Sequence, residues 1–122
     1  MTGPIFDTHA HYSAHAFDAD RFALLDSLPA KGVVGVCEQA THSGDAPRVL
    51  ELAHRYPWVV AAIGIHPESL LAPEDCGADG PAPTVSVYGG DWAAEMRVLA
   101  PYYDDPKVVA VGECGLDYHW PV

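Results

Sequence analysis

Val59-Val60-Ala61-Ala62-Ile63-Gly64-Ile65 is an unbroken apolar run that stops at His66-Pro67. It is too short for a buried helix and rich in β-branched residues, so it reads as a strand buried on both faces. That is the signature of a parallel sheet covered by crossover helices, not of an antiparallel sheet with one wet face. Working outward, Pro4 to Thr8, Val33 to Cys37 and Val108 to Cys114 are runs of the same kind. The segments between them have helical spacing. Asp20 to Leu28 puts Phe22, Leu24, Leu25 and Leu28 on one side before Pro29 and Gly32 end it. Ser43 or Asp45 can cap a second helix with Pro47 in its first turn and Val49, Leu50, Leu52 and Ala53 as its apolar stripe. Asp91 can cap a third, with Ala94, Val98 and Leu99 facing inward and Asp105-Pro106 ending it. The order β-α-β-α-β-α-β predicts an α/β architecture of four parallel strands with crossover helices.

The bulk composition fits one such unit. The 122 residues are 49% hydrophobic and 19% charged, an ordinary globular composition, and residues 1–122 are read as a single domain or part of one. No stretch approaches the roughly 18 consecutive apolar residues of a membrane span, and no basic segment precedes an apolar run at the start, so the expected location is the cytoplasm. Cys37, Cys76 and Cys114 are far apart and form no CxxC pair; they are expected to be free thiols, with Cys37 and Cys114 buried in strands. A formal net charge of -11 with only six Lys and Arg argues against purely electrostatic capture of nucleic acid, which relies on basic side chains displacing counterions. An acidic substrate would have to be held through bound metal. Ser69 to Gly90 is a long acidic loop with three prolines, four glycines and no basic residue. It follows the third strand and so emerges at the carboxyl end of the sheet, where ligands bind in such folds.

Three strands end in groups that packing explains poorly. Asp7, His9 and His11 share one parity, so along a regular strand they point the same way, and two imidazoles at i and i+2 can converge on one ion while the carboxylate orients them. Alone, a His-x-His pair reads equally well as solvated histidines at a strand end. His66 closes the third strand because Pro67 holds it extended; a turn-capping imidazole is the plainer reading of that residue. Glu113 lies between Gly112 and Cys114-Gly115 after Val108-Val109-Ala110-Val111, where a carboxylate needs a cation. The nearest basic residues in sequence, Arg97 and Lys107, sit at or before the opposite end of that strand. Asp117 and Tyr118 suit a loop-fixing role. Imidazole and carboxylate at three strand ends on one side of a sheet are the donors that bind zinc, manganese or magnesium.

Phe6-Asp7-Thr8-His9-Ala10-His11, Gly64-Ile65-His66-Pro67 and Val111-Gly112-Glu113-Cys114-Gly115-Leu116-Asp117-Tyr118 together resemble, in order, the three opening motifs of the TatD family of metal-dependent deoxyribonucleases. The resemblance covers the chain apart from Ser69 to Gly90, and it implies the N-terminal half of a TIM-like (β/α)8 barrel. It further implies two divalent metal ions (Mg, Mn or Zn), with His9 and His11 as ligands of one, Glu113 bridging both and central to catalysis, and His66 at the rim near the substrate phosphate. Asp7 and Asp117 would support these ligands from behind. The implied substrate is DNA or a small phosphodiester. The family's further ligands, two histidines and an aspartate, come from later strands, and His119 matches none of them.

A full barrel takes about 250 residues and eight strands, so 122 residues are expected to form a truncated, inactive or partner-requiring portion. Open edges on the first and fourth strands would then favour self-association or pairing with a second half. Two other readings compete. A metal-dependent lactonase or amidase would keep the barrel and change the bond cleaved, and a non-catalytic remnant would keep the sheet alone.

Overall fold

A computed structural model describes residues 3–70 and 88–116. Strands β1 (Ile5–Ala10), β2 (Val33–Gln39), β3 (Val59–Ile63) and β4 (Val108–Val111) alternate with helices α1 (Arg21–Ser27), α2 (Ala46–Arg55) and α3 (Trp92–Leu99). All pairings are parallel and the sheet order is β1-β2-β3-β4. Each strand therefore lies beside its predecessor, the winding of a barrel and not of a sheet that reverses direction. No helix among the described residues is long and apolar enough to cross a membrane.

The helices form where the spacing predicts them. Val49, Leu50, Leu52 and Ala53 of α2 are all buried. Asp91 caps α3 by accepting hydrogen bonds from the amides of Ala93 and Ala94, both at 3.0 Å. Gly32, at φ 90°, ends the turn after α1 in the left-handed region that suits glycine. In α3, however, the buried pair is Glu95 and Leu99, one helical turn apart, while Val98 is 37% exposed. Apolarity alone misassigns that face, because the Glu95 carboxylate is drawn inward by the Ser43 amide at 2.9 Å.

One cluster holds Leu25 of α1 and Leu28 just after it, Val49 and Leu52 of α2, Leu99 of α3, and Val36, Val59, Ala61 and Ile63 of the sheet. The helices thus cover one face. On the strands at the sheet edges, Phe6, Val109 and Val111 are 53%, 59% and 67% exposed, so the expectation of burial on both faces holds for inner β3 and fails for β1 and β4.

The regular alternation expected of β1 also fails. Val36 and Glu38 are two residues apart, but their partners Asp7 and Ala10 are three apart, so one extra residue bulges from β1. A regular strand would set His9 opposite Glu38, in the place that Ala10 fills at 7% exposure. The bulge instead buries Ala10 and leaves the His9 ring, 55% exposed, on the open side.

Candidate metal centre

β1 brings His9 and His11 to the carboxyl end of the sheet, and the chain just beyond them is held from two sides. Arg21 donates to the carbonyls of Tyr12, Ser13 and Ala14 at 2.6, 2.9 and 2.7 Å. From beneath, Glu38 accepts the Ser13 amide. Glu38 is fully buried, its Oε2 makes no hydrogen bond among the described residues, and burial lifts its carboxyl above the usual range. The same burial, with the charges of Asp7 and Glu38, raises the Tyr12 phenol. Neither Arg21 nor Glu38 was singled out by motif; the one trace of Glu38 in the sequence is a polar Glu38-Gln39 pair closing an apolar strand.

Glu113 arrives from the other edge. β4 ends at Val111, short of the expected Cys114, but the backbone stays tied to the sheet: the Gly112 amide donates to the Ile63 carbonyl at 3.0 Å, and the Glu113 amide reaches past β3 to the Ala40 carbonyl, just after β2, at 2.9 Å. Two glycines permit this seam. A Cβ on Gly64 would lie 2.7 Å from the Gly112 carbonyl carbon and would also strike the Glu113 carbonyl oxygen, and one on Gly112 would lie 2.9 Å from Gln39 Oε1. The chain then turns outward, which leaves Cys114 exposed instead of buried.

The side chains meet across the sheet. Glu113 Oε1 lies 2.6 Å from His9 Nε2 and 3.4 Å from His11 Nε2, and the two imidazole nitrogens are 3.2 Å apart. One donor atom from each of His9, His11 and Glu113 falls within 4.8 Å of the others. Ligands about 2.0–2.2 Å from a zinc ion can be separated by no more than twice that, so the donor types and separations fit a divalent cation. The 2.6 Å contact is a hydrogen bond that would have to lengthen for an ion to lie between the two groups.

His66 reaches the same carboxylate from β3, its Nε2 lying 3.5 Å from Glu113 Oε2. Its Nδ1 accepts the Glu68 amide at 3.1 Å, so it caps a turn and faces the cluster at once. With Nδ1 accepting, the proton of neutral His66 sits on Nε2. His9, Gln39, His66, Glu113, Cys114 and Leu116 border a cleft of about 400 Å³. Asp7 stands apart from the three donors: its Oδ1 accepts the His9 amide at 3.1 Å and so fixes backbone, not the ring. Asp117 lies outside the described residues, as do Tyr118, His119, Cys76 and most of the long acidic loop.

Comparison with known proteins agrees with the motifs. A family model described as TatD related DNase matches residues 6–122. The human protein named deoxyribonuclease TATDN3 is 32% identical over 115 residues, 93% of this chain and 38% of its own length. The 3'-5' ssDNA/RNA exonuclease TatD of Salmonella typhimurium is 30% identical over 117 residues, 94% and 37% of the two chains. The crystal structure of YJJV, a TatD homolog from Escherichia coli K12, superposes with a TM-score of 0.70 at 29% identity over 93% of this chain and 38% of that one. The chain therefore spans under two fifths of the length of these relatives. Its four parallel strands with helices between are the architecture of the N-terminal half of a TIM-like barrel.

Proposed function

Because the chain belongs to the TatD-related DNase family of metal-dependent hydrolases, we propose that it provides half of a site that hydrolyses phosphodiester bonds of DNA with two divalent metal ions. The observation that carries this reading is the meeting of His9, His11 and Glu113 from opposite edges of one sheet, within 4.8 Å. These residues would hold a divalent cation, which would supply polarisation of phosphoryl oxygens and a more acidic water.

The protein's own groups have separable roles. His9 and His11 would hold one ion through Nε2. Glu113, whose two oxygens face different imidazoles, would supply the carboxylate that holds the pair of ions, and with its side chain only 17% exposed it is kept from swinging into solvent. His66 turns an Nε2 proton toward that carboxylate and can donate it to a non-bridging phosphate oxygen. Asp7 holds the backbone of the first ligand. Three donors are half of the roughly six that two ions take, so the remainder belong to parts of the barrel these residues do not span. Alone, the 122 residues self-associate through the exposed strands β1 and β4, and the free thiols of Cys37 and Cys114 suit the reducing cytoplasm.

The deciding experiment replaces Glu113 with Gln, which keeps size and hydrogen bonding and removes the charge. Cleavage of single-stranded DNA by the assembled protein should fall by more than the 10–100-fold that loss of a supporting partner costs, with circular dichroism unchanged. Full activity in Glu113→Gln would end the assignment. Titration of the 122-residue chain with manganese or zinc should show weak binding, and light scattering should show species larger than a monomer.

A further inference from the structure

A second cleft, of about 340 Å³, opens between the loop after β1 and the start of α2, bordered by His11, His15, Thr41, His42, Asp45 and Arg48. It adjoins the metal centre directly, because His11 belongs to both. We propose that this cleft binds a backbone phosphate of the strand on one side of the scissile bond, with Arg48 and His42 as its donors; this rests on the nuclease reading above.

Seventeen acidic residues against six basic ones repel a polyanion from most of this surface, so contacts to a strand must be local, and Arg48 borders this cleft. The acids at and beside the cleft are already occupied. Asp45 accepts the Thr41 amide at 3.0 and 2.9 Å, the Thr41 hydroxyl at 2.6 Å and the His42 amide at 3.2 Å. Asp18 binds Arg48 Nη2 at 2.6 Å, Arg21 Nη2 at 2.7 Å and His15 Nδ1 at 2.8 Å. A phosphodiester can therefore take Arg48 from Asp18 without leaving that carboxylate unpaired.

The donors are also prepared. Arg48 Nη1 sits 3.0 Å from both ring nitrogens of His15, which holds the guanidinium at the cleft with its side chain 31% exposed. His42 folds over Gly44, whose amide donates to Nδ1 at 2.8 Å, so a neutral His42 carries its proton on Nε2. A Cβ at position 44 would lie 2.7 Å from that ring, so glycine is what lets it adopt this pose. A planar fork and a ring N–H beside a metal centre are suited to a phosphate next to the one being cut.

The test measures binding of a fluorescent single-stranded oligonucleotide at low salt with chelator present, which removes hydrolysis and the metal from the readout. Arg48→Glu should weaken binding about tenfold and lower the salt slope by about one. Asp18→Asn, which frees Arg48, should tighten it several-fold, and this opposite sign guards against a variant that merely fails to fold. No binding by the unmodified protein, or both variants matching it, would overturn the proposal. Inorganic phosphate is the competing ligand: Arg48-dependent preference for the strand supports the subsite, and equal affinity for both overturns it. Glu113→Gln should leave the Arg48 dependence intact, so a failed metal centre and a failed cleft give different results.

Discussion

β3 and β4 read alike in sequence, Val59-Val60-Ala61-Ala62-Ile63 against Val108-Val109-Ala110-Val111, yet the first is sunk in the core and the second has residues more than half exposed. The difference lies in their neighbours. β3 has a strand on each side and α2 packed across it, while β4 pairs only with β3 among the described residues. Apolar content reports the surroundings a strand is built for. How much of those surroundings a given stretch of chain supplies is a separate matter.

The largest test of this contrast is a pair of truncations. Ile63→Ala should cost about 2–5 kcal/mol in chemical denaturation, whereas Val109→Ala, chemically the milder change on an exposed face, should stay within about 0.5 kcal/mol. Equal costs would erase the distinction between the strands. Next is the seam where the two strands meet: Gly64→Ala drives a methyl into the Gly112–Glu113 backbone. An overpacking cost of about 1–3 kcal/mol should come with weaker manganese binding, and a variant with unchanged affinity would show that the seam does not position Glu113.

A smaller effect separates α3, which brings Leu99 into the core, from the strands it covers. Asp91→Ala removes the acceptor of two amides and should cost about 1 kcal/mol, visible as a lower denaturation midpoint; no change would mean that packing alone sets the helix start. The smallest concerns the polar exception on the covered face. Glu38 has a raised pKa, so ionised Glu38 destabilises the fold above that pKa and the penalty fades as pH falls through it. Glu38→Gln should therefore gain stability relative to the parent at alkaline pH and lose that gain on acidification. A gain independent of pH would mean that folding leaves the Glu38 carboxyl unshifted.

The parts of this fold that depend on repetition were legible in the sequence. Helix periodicity placed the buried stripe of α2, and apolar runs placed every strand core to within a few residues. The convergence of His9, His11 and Glu113 was legible because imidazole and carboxylate at strand ends have few apolar explanations. Other features depended on tertiary partners and left no periodic trace. Glu95 and Glu38 go inside because backbone amides of distant loops meet them, and Val98 stays out because Glu95 takes its place. The Arg48 cleft was invisible for the same reason, since it assembles residues 11 to 48 from two loops that share no motif.

The bulge in β1 sets how this protein tolerates genetic change. Because the extra residue lies between Asp7 and Ala10, loss of the Thr8 codon would use up the bulge, keep Ala10 opposite Glu38 and leave His9 on the open side of the sheet. A one-residue deletion at this point of the strand is thus expected to be absorbed more easily than replacement of His9 itself.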